Sequence, residues 1–89
     1  PKIAGIGGVF PNPASQLINV IVESPQREDV TLVVMDVSGK TIKQKQVNVE
    51  TGSNTVPVEI GNLASGSYLV KVLSRSAEGE SAVSKFVKQ

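Results

Sequence analysis

Eighty-nine residues with a net charge of +1 make one domain, and neither bulk field nor length points to nucleic acid or a membrane span. The chain has no Cys and no His, which removes the thiolate nucleophile, the commonest general base and the usual metal ligands. Phe10, Tyr68 and Phe86 are the whole aromatic set, so the core is expected to be aliphatic.

Residues Pro1 to Gly8 are rich in Gly and Pro and read as the end of a linker, which places the domain over 9–89. A start at Pro1 without Met or signal peptide is expected of the C-terminal piece of a longer protein. Val9 and Phe10 are expected to form a short first strand, stopped where Pro11-Asn12-Pro13 forbids regular pairing. Ile18, Val20 and Val22 alternate with Leu17, Asn19 and Ile21 in a second strand, followed by a turn at Ser24-Pro25-Gln26-Arg27. Val30, Leu32 and Val34 carry the same period into a third.

Asp36-Val37-Ser38-Gly39-Lys40 has the composition of a hairpin turn: Gly39 is free to take positive φ, and Asp36 can bond the turn backbone. The return strand runs from about Thr41 to Val49, with Lys43, Gln44, Lys45 and Gln46 marking a solvated stretch. After a turn at Glu50 to Asn54, Val56, Val58 and Ile60 line the next strand, and Pro57 within it predicts an edge position or a proline that faces away from its neighbour. Gly66 supplies a turn, and Tyr68, Val70 and Val72 then alternate with Ser67, Leu69 and Lys71. The last hairpin is expected to turn at Ser76-Ala77-Glu78-Gly79, with a final strand from about Ser81 to Lys88.

Six or seven short strands at even spacing, with no 3.6-residue period, predict an all-β antiparallel sandwich or barrel, and the place of Tyr68 argues the sandwich. Tyr68 stands where a loop enters an inward-facing strand, the place of the tyrosine corner in immunoglobulin-like sandwiches. The same reading makes Gly66 and Gly39 backbone-geometry positions and Tyr68 a fold residue.

Catalysis finds little support. Glu28-Asp29 is an adjacent carboxylate pair, but Ca²⁺ needs several oxygen ligands at organised spacing, and a solvated loop explains the pair better. The serines have no histidine to activate them, and Gly5-Ile6-Gly7-Gly8 is not followed by a helix, which excludes a dinucleotide loop. No cofactor or catalytic residue is expected, and the chain reads as a non-enzyme.

Three further motifs stand in a fixed order: Phe10-Pro11-Asn12-Pro13-Ala14, Asp36-x-Ser38-Gly39-Lys40, and Leu63-x-x-Gly66-x-Tyr68-x-Val70-x-Val72. They are followed by the basic-apolar run Lys85-Phe86-Val87-Lys88. In this order they resemble the type A C-terminal sorting domain carried by cargo of the type IX (Por) secretion system of Bacteroidota. The resemblance rests on Pro11, Asn12, Pro13, Asp36, Gly39, Leu63, Gly66, Tyr68, Val70 and Val72, and covers about residues 9–89.

The resemblance implies a targeting module fused behind an N-terminal cargo domain and exported through the periplasm to the cell surface or beyond. Its partners would be the outer-membrane type IX translocon and the surface cysteine protease that usually removes such domains. Cleavage would then fall in or before Pro1 to Gly8. The terminal strand, with Lys85, Phe86, Val87 and Lys88, is the expected translocon-recognition element, offering a sheet edge to a partner strand. A rival of another class is a fibronectin-like spacer or adhesion module. The expected free edge and the outward apolar residues Leu17, Ile21, Val33 and Leu69 leave homodimerisation or contact with a preceding domain open.

Overall fold

The valine- and isoleucine-rich segments pair into two antiparallel sheets. A computed structural model describes residues 4–74 and 81–89, so the expected turn at 76–79 lies outside the described residues. One sheet contains β1 (Gly5–Phe10), β2 (Leu17–Ser24) and β5 (Gly52–Glu59) in the order β1-β2-β5. The other contains β3 (Glu28–Asp36), β4 (Thr41–Val49), β6 (Gly66–Ser74) and β7 (Ser81–Lys88) in the order β4-β3-β6-β7. The described residues form no helix, and the fold is the all-β immunoglobulin-like sandwich that the alternating pattern predicts.

Period-two alternation decides the core. Ile18, Val20 and Val22 of β2 and Val56 and Val58 of β5 face Val30, Leu32 and Val34 of β3 and Val70 and Val72 of β6 across the gap, all buried. The filling is aliphatic, as expected, with one aromatic pair added: Tyr68 and Phe86 stack with ring centroids 5.6 Å apart. Phe10 remains outside, 49% exposed. Of the apolar residues expected to point outward, Leu17 is exposed and Ile21 and Leu69 are half-buried, whereas Val33 is buried. Its cross-strand neighbours Gln44 and Lys71 have long side chains that can lie over it.

The first strand is longer than expected. It opens at Gly5, inside the stretch expected to end a linker, and Ala4 before it is 1% exposed. Glycines give no side-chain alternation to read, yet their backbone still pairs: Gly5 lies opposite Glu23 and Gly8 opposite Ile21, with the register shifting between Ile6 and Gly8.

Pro57 behaves as predicted, because β5 is an edge. The Ile60 N–H donates to Gln16 O at 2.9 Å, which sets the parity along the strand. Val58 and Val56 therefore turn their backbone groups toward β2, and the nitrogen of Pro57 faces away from its neighbour.

Candidate recognition surface

The Asp36 turn forms as its composition dictates. The Gly39 N–H donates to Asp36 O at 3.0 Å, and Gly39 takes a φ of 92°. One oxygen of the Asp36 carboxylate accepts from the Ser38 N–H at 2.9 Å, the Ser38 hydroxyl at 2.5 Å and the Lys40 N–H at 3.0 Å. The Ser38 hydroxyl bond and then the Lys40 amide favour the ionised form, and they hold the Asp36 carboxyl below the usual aspartate range. This carboxylate is committed to its own turn.

The tyrosine corner also forms. Tyr68 buries its ring, and its hydroxyl donates to Ala64 O, four residues upstream, at 2.6 Å. Gly66, at φ 151°, turns the chain into β6 ahead of it. Leu63 packs against the core, and Val70 and Val72 lie within it. These family-motif positions are thus backbone turns and core.

The terminal strand occupies a sheet edge, and its residues divide by parity. Phe86 is fully buried against Tyr68, and Lys88 is 8% exposed with its Nζ donating to Gln89 O at 2.9 Å. Lys85 and Val87 face outward. Side chains accessible from outside are therefore Lys85 and Val87, while Phe86 and Lys88 belong to the packing.

Pro11 to Ala14 carry a role that sequence reasoning missed, having treated them as the stop of the first strand and a family motif. Asn12 lies between two prolines whose peptide bonds are both cis. Its Oδ1 accepts from the Val87 N–H at 2.9 Å, and its Nδ2 donates to Lys85 O at 3.4 Å. Ala14 continues with main chain: its N–H donates to Val87 O at 2.9 Å, and its carbonyl accepts from the Gln89 N–H at 2.8 Å. Ala14 and Lys88 form a parallel bridge. Residues 12–14 thus strap the outer edge of β7 along 85–89, and the Asn12 amide stands in for the backbone groups of a neighbouring strand. Two prolines flanking an Asn are the one local hint, since they leave a side-chain amide as the pairing group. The opening half of β7, around Val83, has no such strap against it among the described residues.

On the opposite flank the inner-facing lysines of β4 span the gap between the sheets. Lys43 Nζ donates to Glu59 O at 2.6 Å and Lys45 Nζ to Pro57 O at 2.8 Å, capping outward carbonyls of the β5 edge. A groove lined by Leu17, Lys43, Lys45, Pro57 and Glu59 remains between the two edges. Inward-pointing charge, together with Pro57, makes this flank a poor template for an added strand.

At one end of the sandwich, Glu28 accepts hydrogen bonds from the hydroxyls of Ser24 and Ser74, at 3.2 and 2.6 Å. Arg27 forms an exposed two-pronged pair with Glu50, both contacts 2.7 Å, which raises the arginine pKa and lowers that of the glutamate. Glu28 and Asp29, expected in a solvated loop, instead open β3, and the two serines hold Glu28 there. No group of three or more metal-ligating side chains occurs among the described residues.

A selenomethionine-labelled β-glucosidase from Kluyveromyces marxianus superposes with a TM-score of 0.56 at 15% identity over 98% of this chain. This chain spans 14% of that one, and at such identity the likeness concerns fold alone. A search of curated proteins gives no match. The family model described as a secretion system C-terminal sorting domain matches residues 8–89, which takes in the Pro-Asn-Pro-Ala strap, the Asp36 turn, the tyrosine corner and the terminal strand. The chain belongs to the family of type IX secretion system C-terminal sorting domains.

Proposed function

We propose that this chain acts as a non-catalytic export address, carrying an N-terminal cargo across the outer membrane through the type IX translocon. The carrying observation is the family match over 8–89 on a fold whose family-motif residues are spent on turns, core and strap. On the cell surface a cysteine protease of the system removes the domain, with cleavage in or before Pro1 to Gly8. The domain makes and breaks no bond itself. What a translocon can contact is outline: the exposed side chains of Lys85 and Val87 and the unstrapped half of β7.

The test is a fluorescent protein carrying a signal peptide and fused ahead of this chain, expressed in bacteria with and without a type IX system. Export that requires the system supports the address. Equal periplasmic retention in both strains overturns it and leaves the fibronectin-like spacer, which shares the sandwich fold. Deleting Lys85 to Gln89 is expected to strand the fusion in the periplasm, with circular dichroism reporting whether the sheets persist.

A further inference from the structure

We propose that this sorting domain docks through the outer face of its four-stranded sheet, around Lys71 and Lys85, onto a protein surface that presents carboxylates among aliphatic side chains. The proposal rests on the export-address reading and names the partner chemistry for it. Residues directly opposite one another in a sheet share a face. Lys71 lies between Val33 and Val83, and Leu69 lies between Met35 and Lys85. The outward residues of the terminal strand thus continue sideways into β6 and β3, making the readable surface a face rather than an edge. Val83 is 53% and Val87 38% exposed, so aliphatic surface surrounds the two ammonium groups.

The two ammonium groups on this face are unspent among the described residues. Elsewhere Arg27 holds Glu50, Lys43 and Lys45 donate to carbonyls of β5, and Lys88 donates to Gln89. Lys71 and Lys85 have no acceptor among the described residues. They are diagonal cross-strand neighbours, about 7–8 Å apart at that spacing. Asp29 lies at the far corner of the face, and its Oδ1 accepts from Asn48 Nδ2 at 3.0 Å. Two adjacent cations in an aliphatic surround select a carboxylate-bearing partner.

Other occupants fit less well. Recognition of anionic lipid uses clusters of about 4–8 basic residues, and among the described residues this face has a pair. A second copy related by a two-fold axis would bring both lysine pairs into one interface. Stacking face to back would offer Glu23 and Glu59, but Glu59 pairs with Leu17, six residues along β2 from Glu23. That separation is about 20 Å, too wide for adjacent lysines.

The test compares wild type with Lys71→Glu/Lys85→Glu in the fluorescent fusion, in a type IX-competent strain. The expected result is at least a tenfold fall in the exported fraction, as like charges oppose docking, with unchanged circular dichroism and urea midpoint. If the reversal disturbs folding, Lys71→Gln/Lys85→Gln takes its place, with a several-fold loss expected. Wild-type export matched by a folded variant overturns the docking face and leaves the address intact; failure of wild type itself overturns the address. Two further outcomes would also overturn the proposal: wild-type dimers by light scattering that the variant loses, and sedimentation with phosphatidylglycerol vesicles that the variant loses.

Discussion

Where β1 meets β7, the sandwich is closed by main chain and an amide: Ala14 exchanges hydrogen bonds with Val87 and Gln89, and Asn12 holds Lys85 and Val87. Where β4 meets β5, two lysine ammonium groups reach across a groove to the carbonyls of Pro57 and Glu59. The first closure is directional and short, and it fixes register. The second relies on flexible stems that exchange readily with water, so it screens an edge without fastening it. One flank is thus built for structure and the other against unwanted pairing.

The largest effect is expected inside the fastened flank. Phe86→Ala removes a fully buried ring stacked on Tyr68 and should cost about 3–5 kcal/mol, read from urea unfolding. In a domain with roughly 5–10 kcal/mol available, the midpoint should collapse. Tyr68→Phe keeps the ring and orphans Ala64 O, for a loss of about 1–3 kcal/mol; an unchanged midpoint would show that the corner works by packing alone.

Asn12→Ala sharpens the comparison directly. Two exposed hydrogen bonds to β7 disappear, for about 1–2 kcal/mol, and exchange at the Val87 amide should quicken while amides of β3 hold their protection. Lys43→Met/Lys45→Met should change the midpoint by less than about 1 kcal/mol. It should instead produce concentration-dependent dimers by light scattering, because the β5 edge loses its charged cover. A loss of stability equal to that of Asn12→Ala would erase the distinction between the flanks.

The smallest effect concerns pH. The Asp36 pKa is depressed below its unfolded value of 3.8, so its contribution is present above that value and is lost as pH falls through the folded pKa. Thermal midpoints measured from pH 6 to pH 2 should fall less steeply in Asp36→Asn than in wild type.

Legibility in the sequence followed the range of the interaction. The hairpin at Asp36 and the tyrosine corner depend on partners within a few residues, and turn chemistry announces them; the inward set of β6 has distant partners, but its own alternation marks the buried face. Pro57 announced an edge because a missing donor has one tolerable place in a ladder. The strap did not announce itself, since Asn12 and Val87 are 75 positions apart and neither has a local reason to pair. Nor did burial of Lys88, whose apolar stem covers the core end while its ammonium turns to Gln89. The candidate docking face was half visible: the outward members of the terminal strand could be named, but their neighbours on β6 and β3 required the register.

The strap also imposes an order in time. During translation, Pro11 to Ala14 leave the ribosome long before their partners at 85–89 exist, and so wait as an unfinished seam on the nascent chain. An interrupted translation product therefore lacks both the final strand and the closure that protects it. A destination label assembled this way certifies that the polypeptide ahead of it has been made in full.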